Sequence, residues 1–423
     1  MPDYILPTEA HFVIDKVFSL ISHHESLKAR SICLLPTENQ LSPLATKALG
    51  SDLVNRYFLL DNTIWEYPQI DDLLELHNVA TALFQKLYGV THVNLRPISG
   101  LNCMTVLLAA LTAPGDTVWS VDPAAGGHGA TAVVARRLGL EVNYLPFDTT
   151  KLDFDLERIE TYIARKRPQL IYIDMPNILF MPSLKSLRAT LDADIFVHFD
   201  CSHVLGLLLA PEFMNPMNCG FPLIAGSTHK TFPGPQKGFI GTNDNNLAQI
   251  IEGVTNSFIS SHHVNSIAAL CITAAEMLSF GKEYATQILR NAKALAKALL
   301  DEGLPVQGRS ATALTSTHQV WIASPNPYLE PSDAVRVLKD AGIVVNCARI
   351  PTLGSKGLRL GTTEVTRLGM KEPEMEFIAK LIARVLVHGD PPAVIASSVQ
   401  SLRAGFLTPQ YCYPLNSSNV KLI

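Results

Sequence analysis

Paired cysteine motifs are missing from this sequence. Its seven cysteines fall at positions 33, 103, 201, 219, 271, 347 and 412, an odd number with no CxxC spacing. That pattern argues against a disulfide framework and against a structural zinc site, and it fits reduced thiols in a cytoplasmic protein. Runs of lysine and arginine are also missing. A net charge of −4 and a pI near 6.4 give no sign of a nucleic-acid or anionic-membrane partner. The opening twelve residues hold no basic segment followed by an apolar one, so no secretory leader is expected. Apolar runs such as 106–111 are too short to cross a bilayer. Internal repeats and low-complexity tracts are absent.

What is present is apolar material in quantity: 423 residues, 47% hydrophobic and 17% charged, enough for two domains with buried cores. Short β-rich runs at 117–121, 141–146, 170–174, 195–200, 223–225 and 238–242 alternate with helical segments such as 71–88, 130–138 and 155–166. Several of these runs are apolar almost throughout, as strands covered on both faces are. The expectation is an α/β fold with a mainly parallel sheet flanked by helices. We read an N-terminal arm at 1–55 with an amphipathic helix near 12–21, a large domain at 56–284 and a smaller α/β domain at 285–423. A long helix is expected to open the last of these near Tyr284 and to stop at Gly303, followed by strands near 319–323 and 343–345 and a helix near 374–387.

Four features follow one another along this chain. Pro97-Ile98-Ser99-Gly100 leads into an apolar helix, where backbone N–H groups and the positive dipole end suit a phosphate. Asp200 ends an apolar strand, the place where ligands bind in open α/β sheets. Lys230 lies thirty residues on, among Gly226, Ser227, Thr228, His229, Pro233 and Gly234, with no solvated helix face to explain it. A buried lysine amine has a lowered pKa and attacks an aldehyde. Arg359 sits between Gly357 and Gly361 and offers a planar fork to a carboxylate. Each alone has a plainer reading as a helix cap, a turn cap, a solvated lysine or a surface arginine in a turn. Their order points to a pyridoxal-phosphate site, with Lys230 carrying the cofactor and Asp200 holding the pyridine nitrogen protonated.

With these residues in place, the chain resembles the serine hydroxymethyltransferases over nearly its whole length. The segment 226–238 is similar to that family's lysine motif, and 200–206 to its Asp-x-x-His-Val-x-Gly element. Gly126-Gly127-His128-Gly129 resembles the loop whose histidine stacks on the cofactor. The segment 357–372 resembles the carboxylate-binding arginine motif, and Thr37-Glu38-Asn39 the N-terminal element. The resemblance implies a type I aminotransferase fold with a seven-stranded large domain. It implies a Schiff base at Lys230, with Asp200 on the pyridinium nitrogen, His203 near the ring hydroxyl and His128 stacked on the ring. Ser99, Gly100, Ser227, His229 and Ser261 are expected to serve the cofactor and its phosphate. Tyr57 is expected to reach a neighbouring subunit's site, hence a homodimer. Arg359, with Thr37 and Tyr57, is expected to hold the substrate carboxylate; no metal is implied.

The departures bear on the reaction. Where the family has a glutamate two residues after the tyrosine, this chain has Leu59, which can neither relay a proton nor hydrogen-bond a pteridine. The folate-contacting run reads Val345-Asn346-Cys347-Ala348, and the glycine-rich loop reads Ser260-Ser261-His262-His263. The run 228–238 is more similar to the L-threonine transaldolases of natural-product pathways. The expectation is folate-independent Cα–Cβ cleavage and formation on a small amino acid, with an acceptor aldehyde as second partner. His128 and Tyr67, with Glu66 beside it, are the candidates for proton handling. Racemisation, decarboxylation or oxidation at Cα, and hydroxymethyl transfer with folate, use the same lysine, aspartate and arginine and stay open. Arg349 and the stretch 177–181 are candidates for lining the pocket.

Overall fold

The computed structural model describes residues 10–58, 71–324 and 329–415. Four apolar runs pair in parallel in the order Glu141–Tyr144, Thr117–Ser120, Leu170–Ile173, Phe196–Phe199. All four residues of Leu170–Ile173 are buried, because helices cover both faces of the sheet. Alternate side chains divide between two cores. Trp119, Ile171 and Ile173 join Phe84 and Phe239 on one side, while Val118, Leu170 and Tyr172 join Met104 and Leu107 on the other.

A second, antiparallel sheet runs His92–Asn94, Gly238–Thr242, Leu223–Ser227. It meets the first at one parallel bridge, Asp200 to Ala225, where the Cys201 N–H donates to the Ala225 carbonyl at 2.8 Å. The large sheet expected from the sequence is therefore four strands and three strands joined at a seam, and Asp200 marks the seam.

The long helix spans Val264–Asp301 and begins twenty residues before the expected start at Tyr284. Gly281 lies inside the helix, where it makes room for Leu209, whose side chain a Cβ would meet at 2.7 Å. Ile267, Leu270 and Met277 of this helix pack in the first core, while Leu295 and Leu299 pack in a separate one. By length and hydropathy it is the one helix among the described residues that could cross a membrane, and most of its apolar stretch is buried inside the protein. Gly303 follows at φ +82°, as expected of a helix stop.

Beyond the helix, an antiparallel sheet runs Val306–Gln307, Gln319–Ile322, Ser355–Gly361, Asn346–Ile350. Arg359 thus stands on a strand, which sets aside the plainer reading of a surface arginine in a turn. Helices Pro331–Asp340 and Glu372–Leu386 pack with this sheet, and the tail after Asp390 adds Pro392–Arg403. The N-terminal helix is longer than the expected 12–21, running Ala10–Arg30, and strand Ile32–Cys33 after it pairs in parallel with Ile343–Val344. Phe12, Ile14, Val17, Phe18 and Ile21 of that helix are exposed. All seven cysteines are free thiols.

One buried cation tests the packing. Lys237 is fully buried and its ammonium donates to the carbonyls of His262 at 2.6 Å and Arg96 at 3.3 Å. Burial lowers its pKa to about 7, with Cys103 opposing the shift and Arg96 adding to it. A folded-state pKa below the unfolded one means the unfolded chain binds more protons from that point up to the ordinary lysine value, so this residue's contribution improves as pH rises. Lys237→Met removes the titration. The wild type should therefore gain melting temperature relative to the variant between pH 7 and pH 10, and an unchanged difference would refute the assignment.

Candidate active site

The ends of the parallel strands and the loop Thr228–Lys237 build the site. Two strands in register, Ile173 beside Phe199, deliver Asp174 and Asp200 to the same sheet edge. Lys230 lies on the connection between Leu223–Ser227 and Gly238–Thr242. That connection is shaped by its own hydroxyl and prolines. The Thr228 hydroxyl donates to the Pro235 carbonyl at 2.7 Å, and the Gly234 N–H donates to the Thr228 carbonyl at 2.9 Å. From outside, the Asn39 amide donates to the Lys230 carbonyl at 2.7 Å and to the Tyr284 hydroxyl at 2.8 Å. Gly206 closes the other side. Its N–H donates to the Thr231 hydroxyl at 3.0 Å, and a Cβ there would lie 2.2 Å from the Thr231 carbonyl oxygen.

Asp200 is buried and both its oxygens are engaged: the Tyr172 hydroxyl donates to Oδ2 and the Ser202 N–H to Oδ1, each at 2.8 Å. Burial lowers the Lys230 pKa, with Asp200 and Asp174 pulling the other way and Arg359 adding to the depression. A half-buried amine of this kind is a nucleophile at lower pH than a surface lysine. Asp174 goes the other way. Burial and the charge of Asp200 hold its carboxyl well above the usual range; its contacts are the Thr131 hydroxyl at 3.3 Å and His128 Nδ1 at 3.7 Å.

His128 caps the helix Gly129–Arg137, its Nδ1 accepting the Ala130 N–H at 3.3 Å. Burial, with Lys230, lowers the pKa of the half-buried His229 to about 4. His203 is buried and stacks against His318 at 6.2 Å, and His318 in turn meets the Pro36 carbonyl at 3.2 Å. The Nδ1 atoms of His203 and His229 are buried and have no hydrogen-bond partner among the described residues. Ser99 caps the helix Gly100–Leu111. A Cβ at Gly100 would lie 2.8 Å from Ser202 Oγ and 3.1 Å from Ser227 Cβ, so the turn presses directly on the strand before the lysine. A lowered amine, a buried carboxylate, orphaned ring nitrogens and a helix start in one place fit an aldehyde, a pyridine nitrogen and a phosphate.

Arg359 faces this set from the smaller sheet. It is buried, its Nη1 donates to the Pro176 carbonyl at 3.0 Å and to Asn177 Oδ1 at 2.8 Å, and Nε donates to Asn346 Oδ1 at 3.3 Å. Burial lowers its pKa to about 10, and it stays a cation. Among the described residues no hydrogen bond engages Nη2. Asn177 also donates to the Arg349 carbonyl, so the stretch singled out from the sequence positions the arginine. Thr37 and His229 line one cavity of about 890 Å³ together with Asn39 and Glu364. Tyr57 is exposed and Ser261 half-buried. Their neighbours Phe58 and His262 meet ring to ring at 5.4 Å, which joins these two segments to each other beside Lys237. Tyr67, Glu66 and Leu59 lie outside the described residues.

A model of the serine hydroxymethyltransferase family matches residues 13–382. The chain belongs to the serine hydroxymethyltransferase family. It is accordingly a pyridoxal-phosphate-dependent enzyme with the α/β fold of that family. An L-threonine:uridine-5'-aldehyde transaldolase of Amycolatopsis is 38% identical over 83% of this chain and 86% of its own length. The serine hydroxymethyltransferase of Thermococcus kodakarensis is 34% identical over 94% and 96%. Among solved structures, the L-threonine transaldolase of Pseudomonas fluorescens in its internal aldimine state matches with a TM-score of 0.91 at 28% identity, covering 97% of this chain and 96% of that one.

Sequence reasoning missed Tyr172 and Asp174. Both lie in a run read only as a buried strand, and the signal available was a carboxylate one residue past a strand end, the same signal that marked Asp200. The Gly206 contact yields a prediction. Gly206→Ala must push the Thr231 backbone away, so it should lower stability on the order of 3 kcal/mol and weaken cofactor retention. Urea unfolding and bound-cofactor absorbance measure both, and a variant matching the wild type in each would show that the loop has slack.

Proposed function

We propose that this enzyme breaks and remakes the Cα–Cβ bond of a small β-hydroxy amino acid without folate, with L-threonine as donor and an aldehyde as acceptor. One observation carries the reading: an intact lysine, aspartate and arginine set coexists with Leu59 at the position where the family resemblance expects a proton-relaying glutamate. The similarity to two transaldolases supports it. Pyridoxal phosphate, when bound, supplies an electron sink joined to the substrate's amino group. The residues do the rest. Lys230 offers the amine that holds the cofactor and exchanges with the amino acid. Asp200 holds the ring nitrogen's proton, and His128 and His203 cover the ring and its hydroxyl. Ser99, Gly100, Ser227, His229 and Ser261 hold the phosphate. Arg359 Nη2, with Thr37, takes the substrate carboxylate, which fixes the orientation of the Cα bonds and so selects the one that breaks. His128 and Tyr67 handle protons at the hydroxyl of Cβ.

The functional unit is a homodimer in this reading, with Tyr57 serving the partner's site and the exposed apolar residues of Ala10–Arg30 covered in the assembly. Free cysteines suit the cytoplasm. The reading also places the enzyme in amino-acid or natural-product metabolism.

Acetaldehyde release from L-threonine that accelerates when an acceptor aldehyde is added, with no response to tetrahydrofolate, is the expected outcome. Serine conversion that requires folate would identify hydroxymethyl transfer instead, and carbon dioxide release, oxygen uptake or loss of chirality alone would identify other Cα chemistry. Lys230→Ala should abolish the borohydride-sensitive visible absorbance and lower turnover roughly a thousandfold. Retention of both would remove the foundation of the reading.

A further inference from the structure

Two carboxyl groups share the sheet edge, and the mechanism above uses one. Asp174 and Asp200 follow the paired residues Ile173 and Phe199 of adjacent parallel strands, so their Cα atoms are neighbours across the ladder, roughly 5 Å apart. Strand side chains alternate, so Tyr172 and Asp174 stand on one face, level with His198 and Asp200. Asp174 is 6% exposed and Asp200 5%. Two charged carboxylates packed this way repel at low dielectric, and like-charged pairs of this type hold one proton between them.

The hydrogen bonds are unequal. Asp200 receives two donors, the Tyr172 hydroxyl on Oδ2 and the Ser202 N–H on Oδ1, both at 2.8 Å. Asp174 receives one long donor, the Thr131 hydroxyl at 3.3 Å, and its other neighbour is His128 Nδ1 at 3.7 Å. That Nδ1 spends its one lone pair on the Ala130 N–H and so carries no proton with which to stabilise a carboxylate at Asp174. Besides each other, the two carboxyls face Lys230 from the lysine loop, Tyr172 and His198 within the sheet, Cys201 next to Asp200, His128 across the edge, and Cys103 from the helix Gly100–Leu111.

We propose that Asp174 and Asp200 carry one negative charge between them, that the Tyr172 phenol assigns it to Asp200, and that Asp174 is the neutral acid behind His128. Tyr172 and Asp174 are thereby positioning residues. They fix the charge and rotamer of the group that meets the cofactor nitrogen, and they let His128 keep its Nε2–H tautomer. The directions of titration agree. Burial and both aspartates raise the Tyr172 phenol well above its ordinary value, so it remains a donor, and burial with Asp200 raises Asp174. The proposal rests on the reading of Asp200 as the partner of the ring nitrogen.

An amide is the uncharged mimic of a carboxylic acid, which separates the two aspartates by experiment. Holoenzyme carrying Asp174→Asn should keep its affinity for pyridoxal phosphate within about threefold, and the pH midpoint of its bound cofactor's visible absorbance should stay within about 0.3 units of the wild type's. Tyr172→Phe keeps the ring and removes only the donor. It should move the pH midpoint of the bound cofactor's visible absorbance by half a unit or more and lower turnover about tenfold, with KM within threefold. Infrared spectroscopy of the wild type at pH 7 needs no variant to fold: a protonated-carboxyl stretch should be present, and it should vanish in Asp174→Asn. A tenfold loss of cofactor affinity in folded Asp174→Asn, an unmoved midpoint in Tyr172→Phe, or no protonated carboxyl in the wild type each overturns the proposal. Asp200→Asn is the control. If it binds the cofactor as the wild type does, the reading of Asp200 fails first; if it is impaired, failure at Tyr172 or Asp174 counts against this proposal alone.

Discussion

An amine and a carboxylate brought to one poorly hydrated sheet edge constrain most of what surrounds them. Desolvation alone makes each expensive to bury as an ion, and among the described residues neither is placed in a direct short ion pair that would offset the cost by itself. The structure answers with fixed dipoles: two donors on Asp200, the Asn39 amide on the Lys230 carbonyl, and the Gly206 N–H on the hydroxyl of the next residue, Thr231. Arg359 adds a second buried cation from the opposite sheet, and its field lowers the amine further. A site with two desolvated cations and orphaned imidazole nitrogens is organised for an anionic occupant. A phosphate at one end and a carboxylate at the other answer that need together.

Much of this was readable in the residues because it depends on local periodicity. The apolar strands betrayed themselves by lacking alternation, and the start of Asp71–Tyr88 and the stop at Gly303 followed from ordinary helix patterning. Lys230, Asp200 and Ser99 were legible as residue types set at strand and helix ends. What escaped depends on register across distant segments. Tyr172 looks like any aromatic in a buried strand until pairing with His198 brings its hydroxyl to Asp200. Asn177 was legible as a pocket residue, but what it does there was not, since its partner Arg359 lies 182 positions away. The first twenty residues of the long helix also escaped, and Gly281 within them is a poor helix former whose missing side chain is what lets Leu209 pack.

The helix Val264–Asp301 ties the two parts of the site mechanically. Tyr284 on it receives the Asn39 amide that also holds the Lys230 carbonyl, and it donates at 3.4 Å to the Thr363 carbonyl just beyond the strand of Arg359. Glu364 next to it accepts from Gln40 at 3.0 Å. Residues 39 and 40 therefore bridge the lysine loop and the arginine strand at once. That short segment resists movement of one relative to the other, together with the Tyr284–Thr363 contact and the bonds from Arg359 to Pro176 and Asn177.

That segment is held in turn by Ile32–Cys33 against Ile343–Val344, a pairing across more than 300 residues. On a ribosome, the strap carrying Thr37 and Asn39 emerges early, and Lys230 and Tyr284, which Asn39 holds, are made long before the strand that anchors the strap. That strand belongs to the last fifth of the chain. Anchorage of the strap is thus completed late, after the residues it restrains.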